Sequence, residues 1–272
     1  MDVLAFYDRH PINEAQILET LRQRGRLPGP LAPEDLLDLD HDHFGGLPAV
    51  EALARLAGIS RGSRVLDVCA GLGGPARFLA WRLGSVVTGV DLNAGRVAAA
   101  RRLSRRVGLE HATRFVRGDA TALPLRAHAF DACLSQEAWL HVEDKPAVLA
   151  ECRRVLRAGG RLAFTDWIAH PRLADRERAR LREWMAATAV PTLDGYRALL
   201  ARSGFGAIEA EDLSVPLRRI LRERLQMFRS LRAATIARLG QAQYDAFDQL
   251  YEFFVGLVED GKLGGGRFGA TA

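Results

Sequence analysis

Asp67-Val68-Cys69-Ala70-Gly71-Leu72-Gly73-Gly74-Pro75-Ala76, followed by Ser85-Val86-Val87-Thr88-Gly89-Val90-Asp91, is the stretch that decides the fold. An apolar strand runs into a glycine turn, and a second apolar strand ends in a carboxylate. That succession is how a doubly wound α/β sheet holds a nucleoside. The glycines let the backbone turn tightly and approach a ligand, and Pro75 suits the first turn of the helix that follows. Asp91 is positioned to accept hydrogen bonds from both ribose hydroxyls. The glycines alone also fit a dinucleotide fingerprint, Gly71-x-Gly73-x-x-Ala76. Asp67 separates the two readings, because a carboxylate so close to the turn opposes a pyrophosphate but suits a ligand bearing an ammonium group.

Adenosylmethionine is such a ligand, and the segments further along agree with it. Arg114-Phe115-Val116-Arg117-Gly118-Asp119-Ala120 is a short strand that ends where a third parallel strand delivers a carboxylate to the adenine. Phe130-Asp131-Ala132-Cys133-Leu134-Ser135 and Leu156-Arg157-Ala158-Gly159-Gly160-Arg161-Leu162-Ala163-Phe164-Thr165-Asp166 follow in order. Together these five motifs resemble those of the class I adenosylmethionine-dependent methyltransferases, over about residues 48–213. The resemblance implies a doubly wound, mostly parallel, seven-stranded Rossmann-like sheet. Its cofactor is S-adenosyl-L-methionine, which leaves as S-adenosyl-L-homocysteine. Asp67, Gly71 and Gly73 are expected at the methionine end, Asp91 at the ribose and Asp119 at the adenine, with Leu92 and Ala120 also among the cofactor-binding residues.

Hydrophobic periodicity predicts strands near 64–68, 86–90, 113–117, 130–135, 161–167, 207–213 and 265–271. Helices are expected at about 12–23, 75–83, 94–107, 145–157 and 192–203, the last two capped by Asp144 and Thr192. The expected organisation is an N-terminal helical cap or lid over 1–47, a core over 48–213, a helical insertion over 214–260 and a final core strand within 261–272. Arg26-Leu27-Pro28-Gly29-Pro30-Leu31-Ala32-Pro33 reads as a stiff linker inside the cap.

Three segments resemble a narrower group, the glycine, sarcosine and dimethylglycine N-methyltransferases with their phosphoethanolamine methyltransferase relatives. They are His43-Phe44-Gly45-Gly46-Leu47, Ser135-Gln136-Glu137-Ala138-Trp139-Leu140-His141 and Gly261-Lys262-Leu263-Gly264-Gly265-Gly266. The resemblance implies that His141 works with Tyr7 to lock the site and handle a proton, with Glu137 as a further acid–base group. It implies that His43, Ser135 and Gln136 line the cofactor. Trp139 and Trp167 are expected to flank the substrate beside His141, where aromatic faces favour a developing ammonium by about 0.5–2 kcal/mol each. Glu137, Trp139 and Gly265 depart from the group's usual residues, which makes dimethylglycine itself a poor fit.

Composition sets the remaining bounds. The 272 residues, 48% of them hydrophobic, suffice for one sizeable core with subdomain-sized additions. No apolar run approaches the roughly 20 residues that span a bilayer, and no secretory leader is legible, so a soluble cytoplasmic protein is expected. Cys69, Cys133 and Cys152 lack metal-ligand spacing and read as small core residues. Asp40-His41-Asp42-His43 resembles a metal cluster, but successive residues of one loop rarely converge on one ion, so no metal is expected. The net charge of +5 is concentrated after Pro216, where seven arginines face one acid, Glu223, up to Gly240. Leu217, Leu221, Leu225 and Phe228 form an apolar stripe among them, so the segment reads as an amphipathic helix rather than an RNA surface. The expected activity is methyl transfer to a small metabolite at an amine nitrogen. The rivals are O- or C-methylation of a phenolic, polyketide or terpenoid substrate, which calls for a larger, more apolar pocket, and an RNA methyltransferase.

Overall fold

Strands form where alternate side chains find a helix layer on each face. In β1 (Arg64–Val68), Val65 belongs to a core shared with Val50, Leu53 and Leu79, whereas Leu66 and Val68 belong to the opposite core with Cys133, Leu149 and Phe164. Burial on both faces explains why this strand reads as an unbroken apolar run. The computed structural model describes residues 2–8, 10–41 and 43–272.

The chain opens with α1 (Val3–Asp8), α2 (Glu14–Gln23), a short 3-10 turn at Pro33–Leu36 and α3 (Gly46–Leu56). After β1 come α4 (Gly74–Leu83), β2 (Val86–Asp91), α5 (Ala94–Arg106), β3 (Thr113–Arg117), β4 (Phe130–Gln136), α6 (Lys145–Val155) and β5 (Leu156–Ala169). Then follow α7 (Asp175–Met185), α8 (Leu193–Arg202), β6 (Gly206–Asp212), α9 (Ser214–Ser230), α10 (Arg232–Leu239), α11 (Gln241–Glu259) and β7 (Leu263–Thr271). The seven strands lie in the order β3-β2-β1-β4-β5-β7-β6, with β7 antiparallel to both neighbours and the other pairings parallel. The doubly wound, mostly parallel sheet expected from the motifs is the observed one. Strand order reverses between β1 and β4, so a crevice opens above their carboxyl ends.

Several elements differ from expectation; among them, α1 and α3 had no predicted span. β5 runs from Leu156 to Ala169 rather than 161–167, because Leu156 pairs with Phe130 and β7 pairs with β5 from Arg161 to Ala169. The same pairing ends α6 at Val155. α7 went unforeseen because it buries only Leu181 and Met185, too few apolar residues for a helical stripe to be legible.

Two additions cover the carboxyl end of the sheet. Ile17 and Leu21 of α2 share a small core with Leu72, Leu103 and Val107, which docks the N-terminal segment near α5. Leu217 and Leu221 of α9 pack with Phe254 and Val258 of α11 and with Trp167 of β5. The basic flank of α9 is largely neutralised within the same unit: Arg222 pairs with Glu259, Arg229 with Asp248 and Arg219 with Glu223. No described helix is long and apolar enough to cross a membrane.

Candidate active site

The crevice is built on two strained strand ends. Cys69, just after β1, and Glu137, just after β4, both hold positive φ, 64° and 51°. Non-glycine residues in this region cost about 1–3 kcal/mol each and persist where the surroundings fix them, often at functional sites. Between the strand ends lies a chamber of about 380 Å³ walled by Asp67, Gly71, Asp91, Leu92, Asp119, Ala120, Gln136 and His141 among others.

Three of the carboxylates lining this chamber, Asp67, Asp91 and Asp119, stand in different surroundings. Asp67 is buried, its Oδ2 has no hydrogen-bond partner among the described residues, and its pKa is pushed up to about 7. Burial is the main cause, reinforced by the charge of Asp91 and partly offset by Arg77. A buried carboxylate without a partner is an open socket for a cationic group. Asp91 accepts the Gly71 and Asn93 backbone N–H groups, each at 2.8 Å, which fixes its orientation and leaves lone pairs for two more donors. Burial raises its pKa against the lowering effect of those two amides. Asp119, which is exposed, accepts from the Thr121 backbone N–H at 2.8 Å and from its hydroxyl at 2.7 Å.

A lid formed by Asp40, His41, His43 and Phe44 closes one side. Asp40 is buried against Arg77 of α4, 2.5 Å away, and Arg77 also donates to the Leu72 carbonyl at 2.7 Å. The contact requires Gly74, where a Cβ would lie 2.4 Å from the Asp40 carbonyl oxygen. Gln136 Nε2 lies 3.1 Å from His43 Nδ1, and His43 Nε2 lies 2.8 Å from His41 Nδ1. Burial and the Arg77 charge lower the His41 pKa to about 4, so this imidazole is neutral at physiological pH. Both carboxylate oxygens of Glu137 accept the Phe44 N–H, at 3.1 and 2.9 Å. From above, Arg224 of α9 donates to the His43 carbonyl at 2.8 Å and lies 4.6 Å over the Phe44 ring. The lid is thus tied to α4, to the end of β4 and to the insertion at once.

A second, smaller chamber of about 160 Å³ adjoins the first, and the two share Tyr7, His43, Gln136 and His141. Its walls are mainly rings and aliphatic groups, including Phe6, Phe44, Trp167, Phe247, Tyr251, Phe254 and Met185. At the boundary the Tyr7 hydroxyl lies 3.0 Å from His141 Nε2, and His141 Nδ1 lies 3.1 Å from the Ala186 carbonyl oxygen. The carbonyl can only accept, so Nδ1 carries a proton, and in the neutral imidazole Nε2 offers its lone pair to the Tyr7 O–H. That geometry makes an oriented base with a hydroxyl relay. Tyr7 itself is held by Arg96, whose guanidinium lies 4.4 Å over the ring, and Asn93 holds Asp8 of the same helix at 2.9 Å.

Most residues expected at the site come together here, and three do not. Ser135 is buried and donates to the Val68 carbonyl at 2.8 Å, bracing β4 against β1 instead of lining the chamber. Gly73 is not among the residues walling the chamber; a Cβ there would meet the Phe115 ring, and its φ of 79° at the start of α4 also calls for glycine. Trp139, expected beside the substrate, is 1% exposed and packs on Phe164 with ring centroids 4.3 Å apart, inside the core. Glu137 faces the smaller chamber, but its carboxylate is engaged by the Phe44 backbone, which makes it a positioning residue for the lid. Trp167 does line the smaller chamber. Of the Asp40-His41-Asp42-His43 run, Asp42 lies outside the described residues, and among the described residues no group of three or more His, Cys, Asp or Glu is placed to hold a metal. Asp40 stands in the stretch expected to close over the crevice, but its pairing with Arg77 was not anticipated, nor were Asn93, Arg96 and Arg224. Only Asn93 carried a sequence signal, as the N-cap of α5 two residues after Asp91.

Residues 66–164 match the family described as methyltransferase domain. The chain is 30% identical over 198 residues to 27-O-demethylrifamycin SV methyltransferase of Amycolatopsis mediterranei, covering 72% of this chain and 73% of that one. It is 35% identical over 165 residues to the glycine/sarcosine/dimethylglycine N-methyltransferase of Actinopolyspora halophila, covering 61% of this chain and 29% of that protein. Phosphoethanolamine N-methyltransferase 2 of Haemonchus contortus, solved with phosphomonomethylethanolamine and S-adenosylhomocysteine, superposes with a TM-score of 0.82 at 20% identity. That match covers 100% of this chain and 60% of that one. The chain spans three fifths or less of the length of most curated relatives it matches.

Proposed function

Since this chain belongs to the class I S-adenosylmethionine-dependent methyltransferases, we propose that it moves a methyl group from that cofactor, held in the larger chamber, to a small metabolite in the aromatic chamber. The observation that carries the reading is the shared wall of the two chambers, where Tyr7 and His141 stand between them. When bound, S-adenosylmethionine supplies a methyl group activated by a sulfonium, so the protein's task is mainly alignment and exclusion of water.

The residues fit that cofactor. The partnerless Oδ2 of Asp67 suits the ammonium of its aminoacyl end, which would also offset the burial that raises the Asp67 pKa. Asp91, oriented by Gly71 and Asn93, would hold the ribose hydroxyls, and Asp119 with Leu92 and Ala120 would hold the adenine. The lid and α1 cover the crevice and exclude water. Positioning of reactants supplies about 7–11 kcal/mol of such a barrier, and a placed base about 10²–10⁴-fold. His141, oriented by the Ala186 carbonyl, would take the acceptor's proton directly or through the Tyr7 hydroxyl.

An amine nitrogen is the first choice of acceptor, because the rings of Phe6, Tyr7, Phe44, Trp167, Tyr251 and Phe254 favour the ammonium formed on transfer. O- or C-methylation of a specialised metabolite is the second reading, supported by the largely apolar chamber lining and the likeness to the demethylrifamycin enzyme. The deciding experiment follows S-adenosylhomocysteine release and product mass against glycine, sarcosine, dimethylglycine, phosphoethanolamine, aromatic amines and phenols. Turnover of amines with the mass gain of a methyl group supports the first reading, turnover of phenols alone supports the second, and failure to bind the cofactor removes both.

A further inference from the structure

Behind the aromatic chamber lies a third cavity of about 390 Å³, comparable in size to the cofactor chamber and larger than the aromatic one. It shares Phe44, Glu137 and Trp167 with the aromatic chamber, so those residues are the partition between them. The partition is thin: the Phe44 and Trp167 rings meet edge to face with centroids 5.3 Å apart. Trp167 is fixed in β5 and packed on Phe254, whereas Phe44 sits on the lid.

Pro48, Leu213, Pro216, Leu217 and Ile220 give the cavity an apolar side, and Glu137, Asp166, Glu211 and Arg267 also line it. Its space depends on β7, because Gly265 leaves room where a Cβ would press on Leu217 at 3.1 Å. The Thr165 side chain is 7% exposed at this wall, and its Oγ1 has no hydrogen-bond partner among the described residues.

We infer that the methyl acceptor is bipartite. Its reacting head lies in the aromatic chamber, and an apolar tail passes the edge of Phe44 into the cavity between α3, α9 and β7. The inference rests on the proposed methyltransferase reading and adds a substrate class to it, an elongated amphiphile rather than a free amino acid. Phe44 and Gly265 become the residues that set tail length.

The test uses the full chain saturated with S-adenosylhomocysteine, and titrates it with n-alkylamines and para-alkylphenols of increasing tail length. Affinity should rise about three- to fourfold per methylene until the cavity is filled, as expected for burial of one CH₂ group. Gly265→Phe fills the cavity from β7, and Ile220→Trp fills it from α9 in case the first variant does not fold. Either should abolish the length dependence while leaving the affinity for the cofactor product and for the shortest ligand near the original values. Binding independent of tail length, no binding by either series, or an unchanged length dependence in both folded variants overturns the bipartite acceptor. Failure of the wild-type chain to bind S-adenosylhomocysteine bears instead on the methyltransferase reading and is seen separately in the first titration.

Discussion

Replacing Asp67 with Asn separates what the cofactor site needs from what the empty fold prefers. The carboxyl is buried beside Asp91, and its pKa is about 7 against an ordinary value of 3.8. Three units at about 1.4 kcal/mol each set a ceiling of about 4 kcal/mol on the linked stability. Between the two pKa values the folded chain retains a proton that the unfolded chain has lost. That stability is therefore fully present below the unfolded value and drains away as pH rises towards 7. Asn is neutral throughout and loses nothing by this route. Thermal melts of the cofactor-free protein from about pH 5 to pH 8 read about two of those three units, so the wild type should fall behind the variant by roughly 5–10 °C, at about 2–4 °C per kcal/mol. Saturating S-adenosylhomocysteine should reverse the order, because its ammonium pairs with the ionised Asp67 and has no such partner in the variant. Parallel pH profiles of the two cofactor-free proteins would refute the reasoning.

His141→Asn should leave S-adenosylhomocysteine affinity unchanged and lower turnover by about 10²-fold or more, with Tyr7→Phe giving a smaller loss, read in initial-rate assays. Arg77→Leu leaves Asp40 buried without its guanidinium and should cost about 3–5 kcal/mol in denaturant unfolding, part of which Asp40→Asn in the same chain restores. Gly74→Ala forces the Asp40 backbone away from α4, so cofactor affinity should fall while the circular dichroism of the core is retained. An unchanged affinity would show that the lid has no part in holding the cofactor.

The fold was legible because the central strands are buried on both faces and stop at glycine or carboxylate. Val65 to Asp67, Val87 to Asp91 and the Gly118-Asp119 turn each announce a strand and the end that faces the crevice. Asp67 and Asp91 were readable for the same reason, since their chemistry and their place at a strand end coincide. Ser135 and Trp139 misled because a motif gives position along the chain but not the face. Ser135 points at β1, and Trp139 turns under Phe164. Arg77, Arg96 and Arg224 were illegible because each reaches a partner 37, 84 or 181 residues away, in a lid or cap of irregular backbone. Neither periodicity nor local spacing records such contacts. The cavity behind Phe44 was hidden likewise, since it arises only when α9 lies across Gly265.

The central claim is tested most directly by calorimetric titration of S-adenosylmethionine into the wild type, Asp91→Ala and Ser135→Ala. The account predicts one bound equivalent in the wild type, a loss of about 1–3 kcal/mol of binding in Asp91→Ala from its missing charged hydrogen bonds, and wild-type affinity in a folded Ser135→Ala. Absence of binding to the wild type, or equal affinity in the wild type and Asp91→Ala, would contradict it.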